Sequence, residues 1–369
     1  MNTNGIRILA FAASFEPRVG GGEKYASRYL SSLVEAGASV DVVTTVDGIT
    51  GDRELHGIRV HYRQASRFAG FPVFNLSTIH RFAVDSQCNV LQTFAPAAHD
   101  FLVMAYALAR RLPLITVYHA DLKNNRGVGF VATQVHNRTV LQASHRIMTT
   151  NTANAERLRA RGLSAFKVLT IAPGVDSQFF DVGPDREAID LLFVGALDEY
   201  HDYKRLDLLF RALASLNDGT EVVRLTVVGH GNRLEHFRRM AESLGLSRLV
   251  SFRGFVDDDE LPSLYHSARA LVLPSPTTQE GFGLVCFEAM ASGTSVVCSR
   301  RAGAASIVAT FAGCAVWDGD TLPSLVAAIR KARAAPRSER QAMAQSMHKY
   351  SWTSMGKTIR NDVFAELVR

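Results

Sequence analysis

The most informative segment of this chain reads Glu280-Gly281-Phe282-Gly283-Leu284-Val285-Cys286-Phe287-Glu288-Ala289-Met290-Ala291. Two glutamates bracket a Gly-Phe-Gly turn, which runs directly into an apolar helical pattern. Such a turn can present backbone N–H groups and a helix N-terminus to an anion. The carboxylates on either side can then bind hydroxyl groups that flank the anion. The pattern therefore predicts a site for a diphosphate with hydroxyl-bearing groups at both ends.

The bulk composition indicates a folded protein of about two domains. The chain has 369 residues, of which 47% are hydrophobic and 21% are charged, so it is too long for one ordinary core and too apolar for extended disorder. Its net charge of +6 suits a phosphate-bearing substrate, an anionic membrane surface or a nucleic acid. No Lys/Arg run with interleaved aromatic residues occurs, so we expect no nucleic-acid partner.

The cysteines and apolar runs bear on the cellular location. The four cysteines are Cys88, Cys286, Cys298 and Cys314. They form no CxxC pair, which predicts reduced thiols in a cytoplasmic protein. The apolar start, Ile6 to Ala13, is too short for a signal sequence, and the longest apolar run, Phe101 to Ala109, is too short to span a membrane. We therefore expect a cytoplasmic protein whose contact with the inner face of the membrane, if it has any, is peripheral.

Short β-branched runs alternate with amphipathic helical patterns, which predicts parallel sheets built from βαβ units. The first series of predicted strands comprises Arg7–Ala12, Ser39–Thr44, Val90–Thr93, Leu114–Tyr118, Arg146–Thr150 and Val168–Ile171. The second series comprises Leu191–Val194, Leu225–Val228, Val250–Phe252, Ala270–Leu273 and Ser295–Cys298. The predicted helices of the first half include Glu23–Ala36 and Ala97–Arg111.

Turn residues at Pro173-Gly174-Val175-Asp176 and Gly183-Pro184-Asp185 separate the two series and predict a domain boundary there. We place an N-terminal domain at residues 1–178 and a C-terminal domain at residues 179–351. The predicted fold class is α/β, with two Rossmann-like domains and an interdomain cleft between the carboxyl ends of their strands.

Two glycine-rich loops follow predicted strands. Gly20-Gly21-Gly22 would let the backbone approach a phosphate closely. A flexible turn between a strand and a helix would have the same glycine-rich sequence. Gly229-His230-Gly231 follows a strand of the second series. Neither loop completes the G-x-G-x-x-G pattern, because Tyr25 and Leu234 stand at the third glycine position. A dinucleotide cofactor is therefore not expected.

Other polar residues also follow strands. Lys204 and Arg205 lie in the loop after Leu191–Val194, where cations can neutralise a diphosphate leaving group, although a solvated helix start is the alternative. His119 follows Leu114–Tyr118, and a lone histidine at such a place is more often structural. The acidic run Asp257–Glu260 precedes a helical pattern, so first-turn acids explain it better than a metal site does.

The order of these motifs resembles that of the retaining glycosyltransferases of family 4, which have the GT-B fold. Glu280 and Glu288 match the E-x7-E motif of that family. Lys204 stands at its conserved lysine, but Ala196 replaces an arginine and Arg205 replaces a glycine.

Further segments share the resemblance, with departures. Arg253-Gly254-Phe255-Val256 is similar to a loop that lies against the base. Ser299–Ser306 is similar to a Gly-Gly loop, with Ala302 and Ser306 in place of its first glycine and its glutamate. A C-terminal helix, about residues 352–369, would pack back on the first domain.

The resemblance implies a role for each matching residue. Glu288 would hold the ribose hydroxyls, and Glu280 would contact the donor sugar with the amides of Phe282 and Gly283. His119 would also contact the sugar, and Lys204 would hold the diphosphate. The predicted catalytic residues are His119, Lys204 and Glu280. The predicted donor-binding residues are Gly21, Gly22, Arg205, Gly229, Phe255, Gly281, Phe282, Gly283, Leu284 and Glu288.

The predicted function is transfer of a hexose, such as mannose or glucose, from a UDP- or GDP-type sugar to a saccharide or lipid-linked saccharide. We expect a role in cell-surface polysaccharide or glycolipid synthesis, with no metal and no cofactor besides the nucleotide-sugar. Phe68–Ser77 and Asp121–Phe130 would recognise the acceptor and contact the membrane. Two alternatives stay open: a sugar-nucleotide epimerase of the same fold and a non-catalytic nucleotide-sugar-binding protein.

Overall fold

The computed structural model describes residues 5–18, 20–68, 71–118, 128–180, 188–219, 221–276, 282–319, 321–364 and 366–367. The chain forms two compact units, Met1–Gly174 with Trp352–Arg369 and Val175–Ser351. The units divide between Gly174 and Val175, inside the Pro173–Asp176 turn motif, whereas the sequence places the boundary after residue 178.

The first unit is built on one large sheet and a small hairpin. Its strands are β1 (Arg7–Ala12), β2 (Ser39–Thr44), β3 (Gly51–Leu55), β4 (Ile58–Tyr62), β5 (Ser66–Phe68), β6 (Phe71–Val73), β7 (Val90–Ala95), β8 (Leu114–Tyr118), β9 (Arg146–Thr149) and β10 (Val168–Thr170). The order in the large sheet is β10-β9-β8-β7-β1-β2-β4-β3, and every neighbouring pair is parallel except the β3–β4 hairpin. Strands β5 and β6 form the separate antiparallel pair.

Helices cover this sheet and bury its apolar strands. They are α1 (Gly21–Glu35), α2 (Leu76–Asp85), α3 (Asp100–Arg110), α4 (Val128–Ala143) and α5 (Thr152–Ala160). One core cluster joins Leu9, Phe11 and Leu91 of the sheet to Ile79 of α2 and Val103 of α3. Burial on both faces explains why these strands read as continuous apolar runs.

Two helices begin at residues other than those predicted. Helix α1 begins at Gly21 instead of Glu23, because the Gly20 carbonyl already accepts the Lys24 amide at 2.9 Å. Helix α3 begins at Asp100 instead of Ala97. The Asp100 carboxylate accepts the Ala97 amide at 2.8 Å, so these residues form the turn that precedes the helix.

The second unit contains a six-stranded parallel sheet. Its strands are β11 (Ile189–Val194), β12 (Leu225–Val228), β13 (Val250–Gly254), β14 (Ala268–Leu273), β15 (Ser295–Ser299) and β16 (Ala315–Trp317). Their order is β13-β12-β11-β14-β15-β16, and all neighbours are parallel. This is the doubly wound Rossmann order, which reverses direction between β11 and β14.

Seven α-helices are described in this unit, and a last one follows it. They are α6 (Leu206–Leu216), α7 (Leu234–Ser243), α8 (Leu261–His266), α9 (Leu284–Ala291), α10 (Ala305–Val308), α11 (Leu322–Arg333) and α12 (Arg337–Met347), with α13 (Trp352–Ile359) in the first unit. Short 3-10 helices occupy Ser177–Phe180, Glu199–Lys204 and His348–Tyr350, and a π-helix spans Arg360–Phe364. No helix in the described ranges is both long and apolar enough to cross a bilayer.

Helix α13 packs against α1, at the start of the chain. The Trp352 ring meets the Tyr25 ring edge-on at 5.8 Å, and the Thr353 hydroxyl donates to Glu35 at 3.0 Å. A Cβ atom at Gly356 would lie 2.2 Å from the Ser32 carbonyl oxygen, so glycine lets the two backbones come this close.

Candidate donor-binding site

The predicted residues of the second unit lie on loops that follow neighbouring strands. Lys204 follows β11, Gly229 follows β12, Phe255 follows β13, and Phe282 follows β14. Parallel strands place their carboxyl ends at one edge of the sheet. In doubly wound sheets, ligands bind outside that edge where the strand order reverses, which here is between β11 and β14.

Lys204 is the last residue of the 3-10 helix that follows β11. Asp198 caps this helix, because its Oδ1 atom accepts the amides of Tyr200 at 2.9 Å and His201 at 3.1 Å. Only 9% of Lys204 is exposed, and a Cβ atom at Gly195 would lie 2.8 Å from its Cδ atom. Gly195 therefore makes room for the buried stem of Lys204. Sequence reasoning did not assign this role to Gly195, although the glycine directly follows a strand.

Arg205 adopts the left-handed backbone conformation, with φ of 55°. This explains why glycine suits the position, and why an arginine there is strained. Its guanidinium donates to both carboxylate oxygens of Asp207, at 2.8 and 3.0 Å. Burial alone would raise the pKa of Asp207, but the hydrogen bonds and charge of Arg205 outweigh burial and lower that pKa.

His201 is paired in a similar way. Its Nδ1 atom lies 2.7 Å from Asp198 Oδ1. Burial on its own would raise the pKa of Asp198. Hydrogen bonds from His201 and from two backbone amides outweigh burial, so the pKa of Asp198 is lowered. Arg205 and His201 are thus each held by a neighbouring carboxylate, next to Ala196, where the family motif has an arginine.

Gly229 has a packing role in addition to its predicted role. Its φ is 147°, and a Cβ atom there would lie 1.9 Å from the Gly195 carbonyl oxygen. A Cβ atom at Gly231 would lie 2.2 Å from the Leu197 carbonyl oxygen. These glycines bring the loops after β11 and β12 into direct backbone contact. The predicted contact of Gly229 with the donor stays a prediction.

Glu288 lies on α9, and it is held from the neighbouring helix α8. The Tyr265 hydroxyl donates to its Oε2 atom at 3.0 Å, and only 9% of Glu288 is exposed. Burial, reinforced by the charge of Glu288, raises the pKa of Tyr265 well above its ordinary value, so the hydroxyl stays protonated as a donor. Sequence reasoning missed Tyr265, which lies 23 residues from Glu288.

The turn before α9 has the conformation expected of its sequence. Gly283 caps the helix with a left-handed φ of 76°, and Leu284 is its first residue. Phe282 is buried against Phe287, with ring centroids 4.5 Å apart. The aromatic contact anchors the turn, so that the first amides of α9 point out of its N-terminal end.

Phe255 is an exposed aromatic residue that follows β13. It follows Gly254, which has a positive φ of 73°, and 69% of Phe255 is accessible to solvent. A ring so exposed at the carboxyl end of β13 can stack on a planar group. Its predicted contact with the nucleotide stays a prediction.

The predicted residues of the first unit are described in part. Gly21 and Gly22 form the first turn of α1, and a Cβ atom at either would meet nothing within 4 Å. A Cβ atom at Gly20 would lie 2.3 Å from a carboxylate oxygen of Glu23, so this acid already lies over the helix start. His119 lies outside the described residues.

Parts of other predictions also lie outside the described ranges. These are Glu280 and Gly281 of the donor loop, residues 69–70 and 121–127 of the predicted acceptor stretches, and the side chains of residues 128–130. Within the described ranges, no three His, Cys, Asp or Glu side chains are grouped to hold a metal ion.

Comparison with known proteins agrees with the fold and the motifs. The family model "Glycosyl transferases group 1" matches residues 175–349, and the model "Glycosyltransferase Family 4" matches residues 19–179. D-inositol 3-phosphate glycosyltransferase 2 of Catenulispora acidiphila is 35% identical over 46% of this chain and 43% of its own length. The GDP-mannose-dependent alpha-(1-6)-phosphatidylinositol monomannoside mannosyltransferase of Mycolicibacterium smegmatis is 32% identical over 48% of this chain and 51% of its own length.

Solved structures share the fold over nearly the whole chain. Anabaena HepE in complex with UDP superimposes with a TM-score of 0.75 over 98% of this chain and 100% of its own, at 18% identity. The matches to the two curated relatives span about half of those proteins, at 43% and 51% of their length. The predicted family and fold class are confirmed. The chain belongs to the family 4 glycosyltransferases and has their GT-B fold.

Proposed function

We propose that this protein is a retaining glycosyltransferase that moves a hexose from a UDP- or GDP-type sugar to a hydroxyl of a saccharide or lipid-linked saccharide. The observation that carries this proposal is that Lys204 and helix α9, which contains Glu288, follow β11 and β14, the two strands between which the strand order of the second unit reverses. A UDP complex of a structural neighbour and the GDP-mannose dependence of a relative support a nucleotide-sugar donor.

The residues suit the charges that develop during the reaction. Breaking the anomeric bond puts positive charge on the sugar and negative charge on the leaving diphosphate. The Lys204 ammonium and the first amides of α9 would stabilise that negative charge, and both are positioned before the reaction begins. Glu288, oriented by Tyr265 at 3.0 Å, would accept hydrogen bonds from the ribose hydroxyls.

Retention of configuration follows if the acceptor attacks from the face that the phosphate leaves. A phosphate oxygen would then take the proton of the attacking hydroxyl, so no pair of catalytic carboxylates is required. By the family resemblance, Glu280 and His119 would contact the sugar.

The acceptor is proposed from the composition of the first unit. Phe68–Ser77 and Asp121–Phe130 combine aromatic residues with cations such as Lys123 and Arg126, which suits a lipid-linked saccharide at a membrane surface. Activity on soluble sugars together with none on detergent-solubilised lipid acceptors would contradict this choice.

A thermal-shift panel of UDP-, GDP- and ADP-sugars tests donor binding. A donor present at 100 times its dissociation constant is expected to stabilise the unit that binds it by about 2.7 kcal/mol. We expect a shift with UDP- or GDP-sugars and a smaller one with ADP-sugars. The absence of a shift with every donor would contradict the proposal.

A product assay then separates the proposed function from its alternatives. Transfer of labelled sugar to an acceptor supports the transferase, whereas isomerised donor formed without acceptor indicates an epimerase. Glu280→Ala should abolish transfer, and Asp259→Ala, an exposed acid of the same unit, should leave it unchanged. Donor binding without any turnover would indicate a binding protein.

A further inference from the structure

The candidate donor site has one cation fewer than its family resemblance predicts. Ala196 stands in place of an arginine after β11. Two arginines near Lys204 are each paired with a carboxylate, which compensates their charge. These pairs are Arg205 with Asp207 and Arg233 with Asp202, and the His201 ring contacts Asp198.

Arg301 lies in the loop after β15, on the other side of β14 from the loop that carries Lys204. Its Nη1 atom donates to the Pro276 carbonyl at 3.0 Å. Pro276 lies three residues after Leu273, the last residue of β14. The Arg301 amide donates to the buried Ser299 hydroxyl at 3.1 Å, so both ends of this residue are held.

The strand order places Arg301 and Lys204 on loops that flank the carboxyl end of β14. In the sheet, β14 lies between β11 and β15, and neighbouring strands are about 4.8 Å apart. Lys204 follows β11 and Arg301 follows β15. A diphosphate bound beyond the carboxyl end of β14, at the N-terminus of α9, would therefore have one cation on each side.

We propose that Arg301 is the second cation that binds the diphosphate of the donor, in place of the arginine missing at Ala196. The planar guanidinium carries five N–H groups in a fork that matches phosphate oxygens. The contact with the Pro276 carbonyl holds that fork close to the carboxyl end of β14. This inference rests on the proposed function, since it requires a nucleoside diphosphate at this edge.

Titration of the full chain with UDP, UMP, GDP and GMP tests the proposal. For the nucleotide that the unaltered protein binds, Arg301→Ala should weaken diphosphate binding about 10- to 100-fold, as expected for loss of a hydrogen bond to a charged group. Arg301→Ala should weaken binding of the corresponding monophosphate by a smaller factor. Arg301→Lys should restore part of the affinity, and the salt dependence of binding should decrease in Arg301→Ala.

The neighbouring Arg300 supplies the matched control. Its amide donates to the Trp317 carbonyl at 2.7 Å, and its side chain is exposed, so Arg300→Ala should bind UDP and GDP as the unaltered protein does. The midpoint of thermal unfolding without ligand should be unchanged in both variants.

Three outcomes would overturn the assignment of Arg301. The first is that Arg301→Ala binds the diphosphate as tightly as the unaltered protein does. Equal losses for diphosphate and monophosphate, without rescue by lysine, would show that Arg301 only holds the loop. Failure of the unaltered protein to bind either UDP or GDP would overturn the proposed function as well, which distinguishes the two failures.

Discussion

Glycines at the sheet edges of this chain differ in what surrounds them. A Cβ atom added at Gly22 would meet no atom within 4 Å, whereas one added at Gly229 would lie 1.9 Å from the Gly195 carbonyl oxygen. Both were predicted to bind the donor from sequence alone. Only the three-dimensional surroundings show that Gly229 is also required for loop packing.

Gly22→Ala tests whether the first turn of α1 approaches a phosphate. Alanine in a helix is about 0.5–1 kcal/mol more favourable than glycine, so stability should be retained or should rise. If the donor backbone contact exists, the KM for the donor should nevertheless increase. Gly229→Ala should instead destabilise the second unit by more than about 2 kcal/mol, measured by urea unfolding. A Gly22→Ala variant with unchanged kinetics would remove Gly22 from the site.

Arg205 combines a strained backbone with an ion pair. Both Arg205→Ala and Arg205→Gly lose the pair with Asp207, but only glycine relaxes the φ of 55°. We expect the glycine variant to be more stable than the alanine variant by about 1 kcal/mol. The measurement is the urea dependence of unfolding of both variants, and equal stabilities would contradict the assigned strain.

At the scale of elements, a charged cluster joins three strands at one edge of the first sheet. His61 on β4 lies 3.0 Å from Asp41 on β2 and 3.0 Å from Asp52 on β3. Arg59 contacts Asp41 at 2.6 Å, and Arg63 contacts Asp52 at 2.6 Å. A neutral imidazole has one N–H donor, so two carboxylate contacts require the protonated ring.

This cluster makes stability depend on pH. Burial on its own lowers the pKa of His61, but hydrogen bonds and charges of Asp41 and Asp52 outweigh it and raise that pKa above 6.5. The stabilisation is therefore complete below the unfolded pKa of about 6.5 and is lost as pH rises through the folded pKa. We expect the first unit to become less stable as pH rises from about 6.5 through the raised pKa of His61.

Urea unfolding across this range measures the effect. His61→Gln should flatten the pH dependence, whereas His80→Gln, an exposed histidine on α2, should leave it unchanged. An unaltered slope in His61→Gln would show that the pH dependence arises from other groups.

Elements were predicted well where their sequence signal is local. Arg7–Ala12, Ser39–Thr44, Leu114–Tyr118 and Leu225–Val228 are strands with the predicted bounds, because each is a β-branched or apolar run between turn residues. The β3–β4 hairpin was missed, because β3 is an edge strand whose residues are mostly exposed and polar. Strand β16, which has three residues, was also missed.

At the scale of the whole molecule, the chain leaves the first unit at Gly174 and returns to it at Trp352. The returning helix α13 depends on the glycine that lets it approach α1. Gly356→Ala should separate these helices and destabilise the first unit by about 1–3 kcal/mol. The thermal shift that UDP or GDP produces in the second unit should persist.

Scanning calorimetry with and without nucleotide distinguishes the two units. Lys357→Ala changes the exposed neighbour of Gly356 and should leave both transitions in place. If Gly356→Ala were as stable as the unaltered protein, the close packing of α13 on α1 would not contribute to the stability of the first unit.

The sequence by itself determined the family, the alternation of strands and helices, and the loops that carry the donor motif. These features depend on residues that are close together along the chain, such as an apolar run, a glycine turn or two glutamates eight positions apart. The tertiary structure alone decided which side chains hold these residues. Tyr265 orients Glu288, Gly195 accommodates Lys204, and Arg301 contacts Pro276. The contacts of Tyr265 with Glu288 and of Arg301 with Pro276 join separate elements that the fold brings together, so no local pattern could have specified them.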